Sequence, residues 1–355
     1  MKWLFKPKKH FILDVGSHTI KLAEFSLDKK KTPFLENFDF LPVPEGCMEQ
    51  GDLINPGPLQ DVLPEFISRN VKETIPNLYV SVGGRSVIVK KIEIYRSEKE
   101  LIDDLVREEM IQVLPFNIDE INYDYMPMTT SLSTSENKTN FLVIISKSDN
   151  INKINRLIDD VGYKCAAIDM GSFALSECVK FMDSDFAKKG KNILILDIGK
   201  SGTAFIVLNQ GNLIFSRYML AGSNFYTANI MKEMGVEYQE AESLKVSWCS
   251  GSEVPAEMDQ IIKESDRYFC DEIFVGKEYF KNQFPNEELS QAYLTGGGSK
   301  VRGLISSIEE KFNIPTSVLD PFEKLKASEF LEDSLSHIKH FAPLLIGSCI
   351  RGFSE

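Results

Sequence analysis

The sequence predicts an α/β protein of two similar lobes facing one cleft, with a small α+β domain inserted into the first. Three observations predict it. Residues 12–25 run as strand, glycine turn, strand; residues 193–208 repeat that plan; and a triple-glycine loop follows another strand at 296–298. At 355 residues the chain is long enough for more than one domain and a large core.

The first lobe opens with strands near 11–15, 19–27 and 33–41, a meander of apolar runs after the first turn. A Pro- and Gly-rich segment, Leu41 to Pro58, reads as a loop, and Leu59 to Asn70 as a helix. Residues 78–95 read as two strands about Gly83-Gly84. Ser97 and Glu100 have capping-box spacing for a helix that carries Leu101, Leu105 and Val113 on its apolar side and stops at Pro115. The polar stretch Ser131 to Asn140 joins two strands, the second being Phe141 to Ser146. A helix at Ile151 to Val161 and a strand at Cys165 to Ile168 lead to Gly171, and Met182 to Lys191 is the expected boundary between lobes.

The second lobe restarts the plan. Strands are expected at Ile193 to Asp197, Thr203 to Leu208 and Leu213 to Leu220, the last two joined by the turn sequence Asn209-Gln210-Gly211-Asn212. Helical patterns fill 223–283. Tyr293 to Thr295 end a strand, and Ser299 is placed to cap a helix from Val301 to Phe312.

The chemistry lies in the turns. Asp14, Gly16, Ser17, His18, Thr19 and Lys21 form the first; Asp197, Gly199, Lys200 and Ser201 form the second. A glycine lets backbone N–H groups approach an anion closely. A strand-end aspartate can hold a hydrated cation such as Mg²⁺, which prefers oxygen ligands and keeps several waters. Two such turns face to face would clamp a metal-bound polyphosphate. Gly296, Gly297 and Gly298 admit a flat ring against bare backbone, and Glu242 and Lys245, three apart on a helix, share a face. Either aspartate alone reads as well as an ordinary turn-former; their repetition with the glycines favours the phosphate reading. His18 either touches phosphate or faces outward. Asp169, ending an apolar strand, reads as a residue that orients water or as a helix cap before Gly171-Ser172.

Other classes are excluded. Gly199-Lys200-Ser201 is not a P-loop, because Leu194 stands where that motif needs glycine. The triple-glycine loop is not a dinucleotide fingerprint, because Val301 occupies its last glycine position. A net charge of −12 without a basic stripe opposes nucleic-acid binding. The six cysteines are scattered without a C-x-x-C pair, and the four histidines lack metal spacing, so reduced buried thiols are expected and zinc is not. No apolar run reaches the length of a membrane span. The start, with Lys2, Lys6, Lys8 and Lys9 around Trp3, Leu4 and Phe5, does not read as a signal peptide; it is either a weak contact for an anionic membrane face or a solubilising tail.

With these residues in place, the chain resembles the actin-like (ribonuclease H-like) ATPase superfamily, and within it the PilM family of type IV pilus assembly. The first turn is similar to the family's first phosphate loop at Asp14, Gly16, Ser17 and Lys21, the second to its second phosphate loop at Asp197 and Gly199, and Gly296-Gly297 to its adenosine loop. The segment Leu114-Pro115-Phe116, Asp119-Glu120 and Tyr125 resembles the small PilM domain. Lys200, followed by Ser201, departs from the family, which has small residues after the second glycine; its side chain either helps neutralise the phosphates or points to solvent. The resemblance implies ATP and Mg, with phosphate bound by Asp14, Gly16, Ser17, His18, Thr19, Lys21, Asp197, Gly199, Lys200 and Ser201 and adenosine by Glu242, Lys245, Gly296, Gly297, Gly298 and Ser299. Asp14 and Asp197 would hold Mg through water, Glu242 and Lys245 would reach the ribose, and Asp169 is the candidate catalytic residue for a hydrolysis expected to be slow or absent.

The implied organisation is a first lobe at 1–77 and 147–188, an inserted partner-binding domain at 78–146, a second lobe at 189–338 and a C-terminal helix at 339–355 returning to the first. The implied role is a cytoplasmic scaffold or switch, peripheral to the inner membrane, docking the N-terminal cytoplasmic tail of a PilN-like protein. Other pilus assembly proteins and self-association are further partners the resemblance leaves open. The acidic residues Asp103, Asp104, Glu108, Glu109, Asp119 and Glu120 suit a basic peptide. The alternatives are a sugar or small-acid kinase of the superfamily and an FtsA-like polymerising division protein, whose amphipathic membrane helix is not expected at Arg351 to Glu355.

Overall fold

The computed structural model describes residues 9–27, 32–72, 76–95, 101–114, 117–128, 138–183 and 191–352. The basic start, the capping box at Ser97 and Glu100, Pro115-Phe116, most of the polar loop at 131–140 and most of the expected lobe boundary lie outside these residues.

The first lobe is laid down as β1 (Lys9–Val15), β2 (Thr19–Leu27) and β3 (Pro33–Pro42), followed by a small hairpin, β4 (Met48–Glu49) and β5 (Asp52–Leu53). The expected loop at Leu41 to Pro58 therefore contains a pair of strands. Its turn is Gln50-Gly51, both at positive φ, a conformation that two-residue hairpins require. Then come α1 (Gly57–Asn70), β6 (Asn77–Val82), β7 (Val87–Tyr95), α2 (Ile102–Val113), β8 (Ile121–Pro127), β9 (Lys138–Lys147), α3 (Ser148–Asp160), β10 (Lys164–Met170) and α4 (Gly171–Met182).

The second lobe follows as β11 (Asn192–Ile198), β12 (Thr203–Asn209), β13 (Asn212–Met219), α5 (Asn224–Met234), α6 (Tyr238–Ser250), α7 (Met258–Gln283), β14 (Leu289–Thr295), α8 (Leu304–Phe312) and β15 (Thr316–Val318). The chain ends with β16 (Lys326–Ala327), α9 (Leu335–Ile338) and α10 (Ala342–Gly352). The β12–β13 hairpin turns at Gln210-Gly211, as its sequence predicts, with φ of 50° and 77°.

The two large sheets share one plan. In the first, the order is β10-β6-β1-β2-β3-β16; in the second it is β13-β12-β11-β14-β15. In each, a three-strand antiparallel meander (β1 to β3, β11 to β13) is extended by two parallel strands next to its first member (β6 and β10, β14 and β15). The duplication inferred from the turns thus extends to strand order and direction.

Apolar runs without polar alternation mean strands buried on both faces. In β11, Ile193 and Ile195 face one core while Leu194, Leu196 and Ile198 face another. The first of these cores lies between the sheets. It joins Ile12 and Ala23 of the first lobe to Ile206 and Leu208 of the second through Leu175 and Val179 of α4 and Leu345 and Ile346 of α10. On its outer face the first sheet carries α1 and α3, through Leu59, Leu63, Leu157 and Ile158. The second carries α5, α7 and α8, through Ile230, Phe269 and Ile308. The molecule is a five-layer stack, helices and sheets alternating, with α4 and α10 as the central layer.

The insert is a three-stranded sheet, β7-β9-β8, with α2 against one face. Val106 and Met110 of α2 meet Ile92, Phe141, Val143 and Ile145, while Leu142, on the opposite face of β9, joins the central core. Two boundaries differ from expectation. The expected start at residue 78 falls inside β6, which pairs with β1 and β10 in the main sheet, because Leu78 and Val80 face the first-lobe core. The return to the first lobe also comes before residue 339: β16 pairs with β3, and Leu325 and Leu331 join the central core. The third difference is at the triple-glycine loop. α8 starts at Leu304 after Gly303 at φ 84°, and Gly297–Lys300 form a separate 3-10 turn, so Ser299 does not cap α8. All six cysteines are free thiols, as expected.

Candidate functional site

Because the two turns end equivalent strands of equivalent sheets, the fold brings them to the same cleft. A cavity of about 870 Å³ opens there. It is lined by Asp14, Gly16, Ser17, His18, Thr19 and Lys21 from the first turn and by Asp197, Gly199, Lys200 and Ser201 from the second. Glu242 and Lys245 of α6, and Gly296, Gly297, Gly298 and Ser299, line it too. Residues spread over nearly three hundred positions meet in one place.

The turns have the same internal wiring. The Gly16 N–H donates to the Thr19 carbonyl (3.2 Å), and the Gly199 N–H to the Gly202 carbonyl (2.9 Å). The glycine N–H groups are therefore used inside the turns. The N–H groups of Ser17, His18, Lys200 and Ser201 carry no hydrogen bond among the described residues. Unpaired N–H groups on a tight turn bind anions. In the second turn, the carbonyls of Gly199 and Lys200 accept from Ser223 N (2.8 Å) and Asn224 N (3.0 Å), which fixes the turn to the start of α5.

Three charged groups lie at the base. Lys21 Nζ donates to Asp14 Oδ2 at 2.6 Å, across the β1–β2 register that sets the two residues opposite each other. Burial, and then the negative charge of Asp14, push the Asp197 carboxyl up to about 6, while Lys21 pulls it down. Lys21 is bonded to Asp14 and acts on Asp197 only at longer range, so the two carboxylates leave negative charge to spare. A divalent cation held partly through water suits this pair, and no group of three metal-ligating side chains exists among the described residues. The triple-glycine loop closes over Asp197. A Cβ at Gly296 would stand 2.6 Å from Asp197 Oδ1 and 2.5 Å from the Ile198 carbonyl, so only glycine fits, and its φ of 80° requires glycine as well.

On α6, Lys245 Nζ reaches Glu242 Oε2 and Thr227 Oγ1, both at 2.8 Å. Thr227 Oγ1 donates to the same Glu242 oxygen at 2.7 Å. Burial alone would raise the Glu242 carboxyl, but the charge of Lys245 and the bonds from Lys245 and Thr227 outweigh it and hold the group below its usual range. Glu242 is therefore fixed and ionised at the wall of the cavity, with its other oxygen outside this network.

The sequence reading did not include Lys300, Arg302, Lys339, His340 and Phe341, which also line the cavity. Lys300 Nζ lies 4.5 Å from the centre of the Phe341 ring, and Lys21 Nζ lies 5.4 Å from it. The His340 carbonyl accepts from Gly296 N (2.7 Å) and Thr295 Oγ1 (3.0 Å), so the chain entering α10 is tied to the triple-glycine loop. Burial, then Lys300 and Lys339, push the His340 ring down to about 4, so it is neutral at pH 7; its Nδ1 is 2.7 Å from Ser299 Oγ. Lys300 and Arg302 follow the glycine loop directly in sequence, but nothing local linked 339–341 to that loop. In all, six cations and three carboxylates line the cavity, in a chain of net charge −12. The cleft is cationic within an acidic protein.

Asp169 is not at the cavity wall. Its carboxylate accepts from Arg351 Nε (2.8 and 2.9 Å) and from Met170 N (2.9 Å). It joins β10 to α10, a structural task.

Duplicated lobes of this topology about a cleft with two Asp–Gly turns and a glycine-rich third loop define the actin-like class. The profile of the family described as type IV pilus assembly protein PilM matches residues 13–351, and the chain belongs to that family. The fold is similar to that of the solved PilM-PilN type IV pilus biogenesis complex, with a TM-score of 0.83 and 20% identity over 98% of this chain and 99% of that one. It is also similar to MreB5 of Spiroplasma citri bound to ADP, with a TM-score of 0.53 and 12% identity over 97% and 95% of the two chains. The cell division protein FtsA of Neisseria meningitidis serogroup B is 25% identical over 202 residues, which are 51% of this chain and 48% of that relative's length.

The state of Asp197 gives a stability prediction. Its folded pKa, about 6, lies above its ordinary value, 3.8, so the native state binds the proton more tightly and stability from this group falls as pH rises from about 4 to 6. Above pH 6 the buried charge is a constant cost. Asp197→Asn should therefore stabilise the metal-free protein by about 1–3 kcal/mol at pH 8. The gain should vanish near pH 4. Urea midpoints at the two pH values check this; equal midpoints for variant and wild type at pH 8 would contradict it.

Proposed function

We propose that this protein is a nucleotide-dependent assembly protein of a type IV pilus or related machine, which closes its lobes on Mg-ATP and docks the cytoplasmic tail of an inner-membrane partner. The observation that carries the nucleotide part is the convergence of both Asp–Gly turns, the Glu242–Lys245 pair and the triple-glycine loop on one cationic cavity. The N–H groups of Ser17, His18, Lys200 and Ser201 would take phosphate oxygens, and Glu242 with Lys245 the ribose. Gly296 to Gly298 would leave room for the base. Asp14 and Asp197 would hold Mg²⁺, which neutralises phosphate charge when bound. The ADP bound by the MreB5 relative supports nucleotide as the ligand class.

The setting of Asp169 supports slow or absent hydrolysis. A hydrolase needs a residue that orients water near the terminal phosphate. The one candidate the sequence offered is engaged by Arg351 and is not among the residues that line the cavity. The role is then that of a scaffold or switch rather than of a turnover enzyme.

The partner reading rests on family membership and on a second cavity. The PilM-PilN complex with which this fold is shared supports a PilN-like tail as the partner and, through it, a place at the inner membrane. A cavity of about 440 Å³ lies where the β4–β5 hairpin meets the insert, lined by Glu49, Gln50, Asp52, Ile54, Arg85, Ser86, Ile88, Ile145 and Lys147. Asp52 Oδ1 is buried there with no hydrogen-bond partner among the described residues, and Ile54 is 51% exposed. A lone buried acceptor beside an apolar surface suits a peptide that brings donors and aliphatic anchors. The carboxylates of Asp103, Asp104, Glu108, Asp119 and Glu120 are on exposed residues of the same insert.

Two measurements test the halves separately. In calorimetry, Asp14→Ala should lose Mg-dependent ATP binding while keeping its circular dichroism spectrum; equal affinity in variant and wild type would overturn the nucleotide assignment. Ile54→Asp should weaken binding of a basic PilN-like tail peptide by more than about tenfold, roughly 1.4 kcal/mol, and leave ATP binding unchanged. Unchanged peptide affinity would place the partner elsewhere.

A further inference from the structure

The cations of the cavity are not equivalent. Lys21 is paired with Asp14 (2.6 Å), Lys245 with Glu242 (2.8 Å) and Lys339 with Asp320 (3.6 Å). Lys200 has no carboxylate within 4 Å among the described residues. Its ammonium lies instead 5.0 Å from the centre of the Tyr238 ring, at the first residue of α6. A carboxylate would hold the ammonium and cancel its charge. An aromatic face holds it through the ring quadrupole and leaves the charge available.

The backbone of Lys200 is equally fixed. Its carbonyl accepts from Asn224 N at 3.0 Å, and a Cβ at Gly222 would stand 2.4 Å from that oxygen, so the turn packs directly against the backbone that leads into α5. Its own N–H and that of Ser201 are among the unpaired donors of the second turn. Across the cleft stands His18 of the first turn: after burial, Lys200 is the strongest influence lowering the His18 ring. The free ammonium therefore belongs to one phosphate-facing turn and acts across to the other.

Resting on the nucleotide reading above, we propose that Lys200 is the residue by which this chain discriminates a nucleoside triphosphate from a diphosphate, its ammonium held over Tyr238 to meet the terminal phosphate between the two turns. A triphosphate carries one more phosphoryl group than a diphosphate and needs one more counter-charge. Lys21, Lys245 and Lys339 are neutralised in place, and Lys300 and Arg302, which like Lys200 have no carboxylate within 4 Å among the described residues, stand beside the triple-glycine loop against Phe341 and Trp248 rather than on a phosphate turn. Tyr238 is a positioning residue here: the ring matters to Lys200, not the hydroxyl.

The test is calorimetry of the full chain with Mg-ATP and Mg-ADP. Lys200→Met, which keeps the apolar stem and removes the charge, should weaken ATP by more than about tenfold and ADP by less than about threefold. Lys200→Arg should restore the ATP preference. Tyr238→Ala should lower it and Tyr238→Phe should retain it. Loss of both nucleotides to the same degree, or of neither, in Lys200→Met would overturn the assignment while leaving the nucleotide reading intact. Wild-type protein that binds neither nucleotide would overturn that reading, and the role of Lys200 with it.

Discussion

The contact on which the rest of the molecule depends is the crossing of α4 and α10. A Cβ at Gly347 would stand 1.7 Å from the Ala174 carbonyl, closer than atoms can approach, so the two helix backbones touch. Beside this crossing, Ser81 and Ser348 share a buried hydrogen bond of 2.7 Å, and Arg351 is bound to Asp169. These helices form the layer between two sheets, and each sheet ends in one Asp–Gly turn. The thickness of that layer fixes how far apart the turns stand. A bulkier layer would separate Asp14 from Asp197 and dissolve the site without altering one residue in it.

The second constraint is electrostatic. Holding two carboxylates close enough for one to raise the other is unfavourable, and a single lysine does not offset it fully. Burial at the base of the cleft adds to that cost, and the packed cores of both lobes offset it. Such stored cost at a cleft, together with unpaired N–H groups on both turns, is what a cation with a polyphosphate would relieve. An acidic protein that gathers six cations at one cavity is organised for an anion.

Much of this was legible in the sequence because the informative signals are local. A strand–Asp–turn–Gly–strand pattern needs about a dozen neighbouring residues, and it occurs twice; Glu242 and Lys245 are one helical turn apart. The β12–β13 turn was readable for the same reason, since Gln210-Gly211 must adopt positive φ. What failed was non-local. Nothing in Leu78 to Val82 says that the strand pairs with β1 rather than β7, because a short apolar strand does not name its neighbour. Lys326-Ala327 is too short to carry a period, and its strand exists through pairing with β3. Ser299 looked like a cap because a serine precedes a helical pattern. Instead the loop packs so close that a Cβ at Gly298 would stand 2.2 Å from Ile198 Cγ2, and Ser299 lies in a tight turn bonded to Gly296 and His340. His340 and Phe341 reach the cleft on the segment that leads into α10, which sequence spacing alone does not place there.

The central claim is that both turns, one from each lobe, grip the same polyphosphate. Amide hydrogen exchange reads this at the four N–H groups that carry no partner in the described structure. On addition of saturating Mg-ATP, Ser17 and His18 in the first turn and Lys200 and Ser201 in the second should slow together, by about tenfold or more. Protection in one turn with the other unchanged, or in neither at saturation, would contradict the account.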